Sequence, residues 1–537
     1  MAKTAAASSA NRSDSSHNKN NSASLSHYLM WFRRDLRIHD NTALTALCER
    51  AEADKAQVSA IFFLTPEQWQ AHDMSLTQVD HIARTLPILA KNLQTQLNIT
   101  LTVQSAPNFS DCIEALSTFC EANDITCLMA NHEYEGNEID RDEQLTKQLT
   151  DNDIEFVRWH DQCVLPPNSI MTNDGSLYQV FTPFYKKWRH TLEVSTIQSH
   201  QAPAVNNKIN ITLSKNSVNT IEEIERLSEK TTQAYKKALQ DADTLLHIDR
   251  DAQLTQARDA YPAGETAACQ RLENFIAEDI DNYDVGRDVP SLQATSQLSA
   301  YLTIGAISPR FCYLQANKAQ EELHGNDSDN TDINRWISEL AWRDFYRHVL
   351  VDKPALIRHQ AYKDETDKNI NWSHHHEDFE AWCLGKTGVP LVDAAMRSLN
   401  ATGFMHNRLR MVTAMFLTKD LLIDWRLGER YFMQQLIDGD FASNNGGWQW
   451  SASTGTDSAP YFRIMNPFSQ AKTHDPDGIF IKTWLPELKE VPTSILHSEE
   501  KLRKALSKGG KFANLDYPVP MVEHKKAREL AIAEFKK

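Results

Sequence analysis

The sequence predicts two domains of different class: an α/β N-terminal domain with a doubly wound, five-stranded parallel sheet, and an all-α domain joined to it by a long linker. The chain has 537 residues, and this length favours two or more domains. Short β-rich runs alternate with helical patterns up to about residue 165. After about residue 235 strand signals nearly vanish, which indicates a helical domain.

The predicted strands are short apolar runs at residues 28–32, 58–64, 99–103, 125–130 and 154–159. Helices between them favour parallel pairing, and ligands of such sheets usually lie beyond the carboxyl ends of the strands. The fourth strand leads directly into a polar segment that contains Asn137 and Glu138, so we expect both at that rim. A solvated loop that caps the next helix would explain them equally well.

Composition sets the remaining boundaries. Residues 1–26 are rich in Ser, Asn and Ala without an apolar core, which is typical of a disordered tail. Residues 166–235 contain a Pro-Pro pair and an amide-rich stretch, and we interpret them as the interdomain linker. The α/β domain is therefore expected at 27–165 and the helical domain at 236–537.

Charge and cysteine usage exclude several classes of protein. A net charge of -16 argues against nucleic-acid binding by bulk charge, although segment 403–465 is locally neutral and suits local binding. The eight cysteines form no C-x-x-C pair, so neither a metal site nor a dense disulfide framework is expected. No apolar run approaches the roughly 18 residues of a membrane span. We expect a cytoplasmic monomer that does not cross a membrane.

Residues 438–457 are the most informative stretch. Asp438 and Asp440 flank a glycine, which suits a tight loop that presents two carboxylates to one polar ligand. An amide-rich segment with two tryptophans follows and leads into Thr454-Gly455-Thr456-Asp457. Tryptophan is easily oxidised by one electron and stacks on flavins or bases. The combination predicts photochemistry or redox chemistry on a nucleic acid; a solvated turn and core tryptophans are the simpler alternatives.

One predicted helix, at residues 334–350, places chemically useful side chains on or beside one face: Trp336, Glu339, Trp342, Arg343 and Tyr346. For Glu339 and Arg343 the alternative is a surface ion pair. In a second helix, around residues 405–422, the polar Asn407 shares a stripe with methionines such as Met411. A purely apolar face would not need this amide, so we expect it to contact a polar group.

A hydroxyl-rich segment, Thr295-Ser296-Gln297-Leu298-Ser299, precedes an apolar helix expected to run to about residue 304. Hydroxyls are typical of the N-cap position, and the free backbone amides and dipole of a helix N-terminus favour a phosphate. Capping alone explains one hydroxyl, whereas this segment has three.

These stretches resemble the photolyase and cryptochrome family, and most closely its bacterial class I members that repair cyclobutane pyrimidine dimers. The resemblance runs from Trp31-Phe32-Arg33-Arg34-Asp35-Leu36-Arg37 to Asp516-Tyr517-Pro518 and is interrupted mainly by the linker. Its most specific motifs are Gly403-Phe404-Met405-His406-Asn407-Arg408-Leu409-Arg410-Met411 and Asn444-Asn445-Gly446-Gly447-Trp448-Gln449-Trp450.

The resemblance implies that the helical domain binds FAD. The implied FAD-binding residues are Tyr283, Thr295, Ser296, Gln297, Leu298, Ser299, Trp336, Arg343, Asp438, Gly439, Asp440 and Asn444. Asn444 would lie beside flavin N5, where an amide can hydrogen-bond either protonation state of that nitrogen.

The implied activity is light-driven repair of UV-damaged DNA by a carbon–carbon lyase. Excited FADH⁻ would donate an electron to a flipped dimer, the cyclobutane ring would open, and the electron would return. The implied catalytic residues are Glu339, Trp342, Asn407, Met411, Asn444 and Trp450. The implied DNA contacts are Arg287, Glu339, Trp342, Arg343, Tyr346, Asn407, Arg408 and Gln470. Glu339 would stabilise the dimer radical anion best if it were protonated in a buried pocket.

Two accessory systems are also implied. Trp372, Trp425 and Trp448 match a chain of tryptophans that reduces the flavin in light. Asn137 and Glu138 match contacts to a folate antenna, 5,10-methenyltetrahydrofolate, which we favour over a deazaflavin.

Three other classes of protein can be compared with the repair enzyme. A (6-4) photolyase or animal-type cryptochrome would carry histidines in place of Asn407 and Met411. A signalling cryptochrome, a blue-light photoreceptor, would more often carry an acid or cysteine in place of Asn444 and a long C-terminal extension. A dark flavoprotein oxidoreductase would need a nicotinamide or substrate motif, and we find none. The repair enzyme is the favoured interpretation.

Overall fold

The computed structural model describes residues 26–195, 197–200, 217–242, 248–324 and 331–537. The tail predicted for residues 1–26 therefore lies outside the described residues, apart from Ser26. A largely parallel sheet is followed by a helical region, so the predicted fold class is confirmed.

Among the described residues, one sheet contains six strands: β1 (His27–Phe32), β2 (Gln57–Leu64), β3 (Leu101–Ser105), β4 (Ile125–Asn131), β5 (Glu155–Trp159) and β6 (Ser217–Val218). Their order is β5-β4-β1-β2-β3-β6. The first five are the predicted strands and pair in parallel. The sequence predicted five strands, and the sheet has one more: β6, which pairs antiparallel with β3. Two residues are too few to show the alternating pattern that predicts a strand, so β6 could not be expected from the sequence.

Helices cover both faces of the sheet: α1 (Thr42–Asp54), α2 (Pro66–Ala71), α3 (Leu76–Asn92), α4 (Phe109–Ala122) and α5 (Gly136–Asp151). Met30 and Phe32 of β1 pack into the same core as residues of α1 and α3. Leu29 and Trp31 point the other way and pack with residues of α4 and α5. Every residue of β1 is buried, as expected for a parallel sheet covered on both sides.

The described residues of the segment predicted as a linker include two helices, α6 (Phe181–Val194) and the first part of α7 (Ile221–Ala242). The ring of Phe184 in α6 lies 5.2 Å from that of Phe345 in the helical region. In α7, the Tyr235 hydroxyl donates to the Met74 carbonyl oxygen at 2.7 Å, next to α3. The predicted boundary at residue 235 falls inside α7, and the domain limits stay a prediction.

The helical region comprises α8 (Arg250–Ala260), α9 (Glu265–Glu278), α10 (Tyr283–Gly286), α11 (Ser299–Ile304), α12 (Pro309–His324), α13 (Thr331–Asp352), α14 (Asp364–Asn369), α15 (His376–Cys383), α16 (Pro390–Thr402), α17 (Asn407–Met415), α18 (Trp425–Gln435), α19 (Phe441–Ala452), α20 (Pro467–His474), α21 (Ile479–Trp484), α22 (Thr493–Leu496), α23 (Glu499–Leu506) and α24 (His524–Glu534). Short π or 3-10 turns lie at Leu93–Leu97, Ile280–Asn282, Pro354–Arg358, Phe416–Asp420 and Pro486–Leu488. Within the described ranges no helix is both long and apolar enough to cross a membrane.

A buried ionic network joins the loop after β1 to the helical region. Asp161 accepts hydrogen bonds from Arg37 Nη2 at 2.6 Å and from Arg310 Nη2 at 2.9 Å. Burial opposes ionisation of Asp161, but the two guanidinium groups hold its pKa well below the usual range. Arg37 also donates to the carbonyl oxygen of Gly305 at 3.1 Å. The network therefore anchors the end of α11, which forms part of the cavity wall described below.

We expect Gly305→Ala to destabilise this junction far more than the matched change Gly175→Ala. Both glycines have positive φ, +72° and +81°, but a Cβ on Gly305 would lie 2.1 Å from the Arg34 carbonyl oxygen, whereas one on Gly175 meets nothing within 4 Å. Gly175→Ala should lower the free energy of unfolding by roughly 1–2 kcal/mol through backbone strain alone. Gly305→Ala should lower it by at least about 3 kcal/mol, because backbone must move. Urea unfolding followed by circular dichroism measures both; equal losses would contradict the close contact.

Candidate active site

A cavity of about 520 Å³ opens in the helical region. Its walls come from α10, α11, α13, α17, α18 and α19, together with residues 295–298, 404–406, Asp438 and Asp440. Most of the predicted site residues line it: Tyr283, Arg287, Thr295, Ser296, Gln297, Leu298, Ser299, Trp336, Glu339, Trp342, Arg343, Tyr346, Asn407, Met411, Asp438, Asp440, Asn444, Trp448 and Trp450. A cavity of this size suits an organic cofactor or substrate.

The other predicted site residues lie outside the cavity lining: Gly439, Arg408, Gln470, Trp372, Trp425, Asn137 and Glu138. The carbonyl oxygen of Gly439 accepts a hydrogen bond from Gln78 Nε2 at 3.0 Å, so this residue contacts α3. Arg408 pairs with Asp288 at 2.6 Å near the cavity, and Gln470 lies on α20.

The hydroxyl-rich segment reaches the cavity as a loop before α11. The N-cap of α11 is Leu298 and no side chain caps this helix, so the expected hydroxyl cap was wrong. The Ser296 hydroxyl accepts a hydrogen bond from Trp336 Nε1 at 3.2 Å. Because Thr295, Ser296 and Ser299 line the cavity and none caps α11, their hydroxyls are available to a ligand.

The two carboxylates of the 438–440 loop are buried, and each binds an arginine. Asp438 accepts two hydrogen bonds from Arg410 Nη2, at 2.8 and 3.0 Å. Asp440 is the N-cap of α19 and forms an ion pair with Arg347. Burial opposes ionisation of Asp440, but Arg347 and Arg343 hold its pKa well below the usual range. The alternative of a solvated turn was therefore wrong.

The five predicted side chains of α13 meet in the cavity, but their ionic partners differ from the simplest expectation. Glu339 Oε1 accepts a hydrogen bond from Arg287 Nη1 at 2.5 Å. Arg343 instead donates to the backbone carbonyl oxygens of Gln162 and Leu302. The alternative of a Glu339–Arg343 ion pair was thus wrong. The Glu339 side chain is 34% exposed, whereas its implied role favoured a buried pocket.

Amide and aromatic side chains complete the cavity wall. The side chain of Asn444 is oriented by a hydrogen bond from Nδ2 to the Glu429 carbonyl oxygen at 3.0 Å. Asn407 and Met411 lie about one turn apart on α17 and line the same space, and Trp450 contributes an aromatic surface from α19.

The three tryptophans of the implied chain share one hydrophobic core. Trp448 lines the cavity and is 2% exposed. Trp425 is fully buried, and its Nε1 donates to Asp367 Oδ1 at 3.1 Å. Trp372 is partly exposed and packs edge-on against Phe535, with ring centroids 6.0 Å apart. The set therefore extends from the cavity wall to the protein surface.

Asn137 and Glu138 lie at the start of α5, at the carboxyl end of the sheet. Asn137 is exposed, and its Nδ2 lies 2.8 Å from His72 Nε2. Glu138 is buried, and burial together with the neighbouring Glu135 and Glu133 raises its pKa to about 8. Its Oε2 has no hydrogen-bond partner among the described residues. The alternative of a solvated loop fits Asn137 but not Glu138.

Two arginines were missed as site residues in the sequence. Arg347 follows Arg343 by four residues on α13, so helical spacing placed it on the same face. Arg410 shares the α17 stripe with Asn407, but its bond to Asp438 depends on how the chain folds.

The cavity offers the groups that a dinucleotide cofactor such as FAD requires. Hydroxyls suit phosphates, buried carboxylates suit ribose hydroxyls or ring N–H groups, and aromatic walls suit planar rings. The described residues contain no cluster of His, Cys, Asp or Glu that could hold a metal ion.

Comparisons with known proteins agree on one family. The family model for the FAD binding domain of DNA photolyase matches residues 336–537, and that for DNA photolyase matches residues 28–206. The deoxyribodipyrimidine photo-lyase of Salmonella typhimurium is 42% identical and that of Escherichia coli 41%. Each alignment covers 95% of this chain and 98% of the relative.

Solved structures share the whole fold. A class III photolyase from Agrobacterium tumefaciens superposes with a TM-score of 0.78 at 30% identity, covering 96% of this chain and 98% of the other. An archaeal photolyase from Sulfolobus tokodaii, solved with two FAD molecules, gives 0.73 at 28% identity, covering 95% and 99%. A cryptochrome from Synechocystis gives 0.74 at 26% identity, with the same coverage. The sequence matches over nearly the full length, together with this fold and cavity, show that the chain belongs to the DNA photolyase family.

Proposed function

We propose that this protein is a light-dependent repair enzyme that splits cyclobutane pyrimidine dimers in UV-damaged DNA. The proposal rests on one observation above all: hydroxyls, buried acids, an amide and aromatic surfaces line a single cavity. Relatives that match 95% of the chain are named deoxyribodipyrimidine photo-lyases, and we assign the same carbon–carbon lyase activity here.

FAD is the proposed cofactor of the cavity. Hydroxyls of the 295–299 segment would bind its phosphates, and the carboxylates of the 438–440 loop would bind its ribose and flavin ring. When bound in its reduced form and excited by blue light, FAD supplies the electron for ring opening. The proposed contacts are Tyr283, Thr295, Ser296, Gln297, Leu298, Ser299, Trp336, Arg343, Asp438, Gly439, Asp440 and Asn444. The hydrogen bond to the Glu429 carbonyl oxygen would hold the amide of Asn444 in place beside flavin N5.

The dimer is proposed to enter the same cavity by flipping out of the duplex. Flipping costs a few kcal/mol, and packing of the lesion against Trp342 and Trp450 would offset part of this cost. A hydrogen bond from Glu339 to the dimer would stabilise its radical anion. Oε1 of Glu339 is paired with Arg287, so a lesion that takes over this oxygen would release the guanidinium to a DNA phosphate.

DNA contacts are proposed around the cavity and on its wall. Positive side chains near the opening suit phosphates, so local charge would compensate for the acidic chain as a whole. The proposed set is Arg287, Arg343, Tyr346, Asn407, Arg408 and Gln470, with Met411 completing the wall of the lesion pocket.

Trp448, Trp425 and Trp372 are proposed to carry electrons from the surface to oxidised flavin. Trp448 lines the cavity and Trp372 is partly exposed, which suits the two ends of such a path. The Asp367 carboxylate accepts a hydrogen bond from Trp425 Nε1 but is also paired with Arg426, whose guanidinium lies 4.6 Å from the centre of the Trp425 ring. The two charges beside this indole therefore offset one another.

A folate, 5,10-methenyltetrahydrofolate, is proposed as a second chromophore at Asn137 and Glu138. With a raised pKa, Glu138 is largely protonated at neutral pH and can both donate and accept hydrogen bonds toward a pterin ring. The Sulfolobus tokodaii relative was solved with two FAD molecules, so a second flavin is the competing occupant.

A blue-light photoreceptor is the second candidate, because the cryptochrome from Synechocystis shares this fold. Asn444, and the absence of histidine at Asn407 and Met411, favour repair. We further propose that the enzyme is monomeric and acts in the cytoplasm, as the sequence led us to expect.

Repair should depend on light. Chemically reduced protein, mixed with an oligonucleotide that carries one cyclobutane thymine dimer, should restore intact thymines under blue light and leave them unchanged in darkness. Chromatography of the oligonucleotide measures both. A bound, photoreducible flavin without any repair would move the protein to the photoreceptor class.

Trp425→Phe should abolish photoreduction of oxidised flavin, because phenylalanine is too hard to oxidise to relay an electron. Absorption spectra recorded under illumination follow flavin reduction. The same variant, once chemically reduced, should repair DNA at the wild-type rate. Trp484→Phe, outside the series, is the matched control and should photoreduce normally. A prereduced Trp425→Phe that fails to repair would contradict a role confined to electron supply.

Glu138→Ala should lose folate while keeping its full content of FAD, because the antenna site and the cavity lie in different parts of the fold. Mass spectrometry of the released chromophores measures both. Glu143→Ala, an exposed change on the same helix, should keep both chromophores. Release of a second flavin in place of folate, or folate retained by Glu138→Ala, would argue against the assignment.

A further inference from the structure

An aromatic side chain from the predicted linker covers one face of Trp342. Phe181 is the first residue of α6. Its ring lies face to face with the indole of Trp342, with ring centroids 3.6 Å apart and planes inclined by 8°. Trp342 lines the cavity, whereas Phe181 is only 9% exposed. Only the opposite face and the edges of the indole are therefore open to a ligand.

Other aromatic rings hold Phe181 in turn. Tyr185, one turn further along α6, stacks on it at 5.6 Å with planes 14° apart. Phe345 meets both Phe181 and Trp342 edge-on, at 5.8 and 5.7 Å. These rings form one packed block in which a tilt of Trp342 would have to displace its neighbours.

The start of α6 is also tied to the loop that follows α19. The backbone N–H of Phe181 donates to Asp457 Oδ2 at 3.0 Å, and the Thr456 hydroxyl donates to the Gln179 carbonyl oxygen at 2.5 Å. No side chain caps α6 from its own N-cap position, so Asp457 supplies both the acceptor and the negative charge that this helix end favours. Thr456 and Asp457 of the Thr-Gly-Thr-Asp motif therefore bind the start of α6. These hydrogen bonds join α6 to the loop that follows α19, the helix that carries Trp450.

We propose that Phe181 is a positioning residue for the flipped lesion. It fixes the plane of Trp342, and Asp457 fixes Phe181 relative to α19. The inference deepens the proposed function and rests on it, because it concerns how Trp342 meets the dimer. A flat indole contacts the face of another ring over its full area only when the two are roughly parallel, so a tilted Trp342 would bind the lesion less tightly while FAD binding is unchanged.

The test is a double-mutant cycle between Phe181→Leu and Trp342→Ala. Fluorescence anisotropy in darkness gives the affinity of each protein for an oligonucleotide with one thymine dimer and for its undamaged counterpart. Phe181→Leu alone should weaken dimer binding roughly threefold to tenfold, the range expected for loss of one aromatic pair. Affinity for undamaged DNA and FAD content should not change. In the Trp342→Ala background, Phe181→Leu should cause no further loss, because its effect passes through the indole.

Three further variants separate positioning from general stability. Leu192→Ala, a buried change near the opposite end of α6, should lower the melting temperature but keep the ratio of dimer to undamaged affinity. Phe181→Tyr keeps the ring and should restore dimer binding. Asp457→Ala keeps the Phe181 side chain but removes the carboxylate that anchors it. This variant therefore tests the same role if Phe181→Leu does not fold, and it should also weaken dimer binding.

Several outcomes would overturn the inference. One is an equal loss of affinity for damaged and undamaged DNA in Phe181→Leu; another is an additive loss in the Trp342→Ala background. If the wild-type protein binds dimers no better than intact DNA, the proposed function fails and the inference fails with it. If the wild type discriminates and Phe181→Leu discriminates equally well, only the inference fails.

Discussion

Asp438 and Asp440 are buried on one short loop, and each carboxylate is held by an arginine from a different helix. Arg410 comes from α17 and Arg347 from α13, while Asp440 caps α19. Removing a carboxylate from water costs several kcal/mol unless a partner offsets it. The loop can therefore adopt this shape only when all three helices are in place, and the same contacts bring the chemically useful faces of those helices to one cavity.

The same rule operates where the α/β domain meets the helical region. Asp161 is buried and is shared by Arg37 and Arg310. Asp344 is buried on α13, where it accepts a hydrogen bond from Trp188 Nε1 at 3.0 Å as well as two from the backbone at 164–165. The helix that carries Trp188 begins with Phe181, so a carboxylate outside the cavity lining helps to place the ring that covers Trp342.

The cavity lies between two hydrophobic cores. Trp336 and Leu340 on one wall belong to the core that continues into the α/β domain. Trp448 and Phe432 on the other belong to the core that contains the implied tryptophan chain. A space between two well-packed cores can hold a large ligand without leaving a void inside either.

By itself the sequence determined the five parallel strands, the helical region and most of the residues that line the cavity. Alternation, helical spacing and compact motifs are relations between neighbours, so they are visible in one dimension. The two-residue β6 was too short to show such a relation. Only the tertiary structure decided that Glu339 pairs with Arg287 rather than Arg343, and that Phe181 from the linker covers Trp342. Partners of this kind lie far apart in the chain, and the packing of whole helices selects them, which no local pattern encodes.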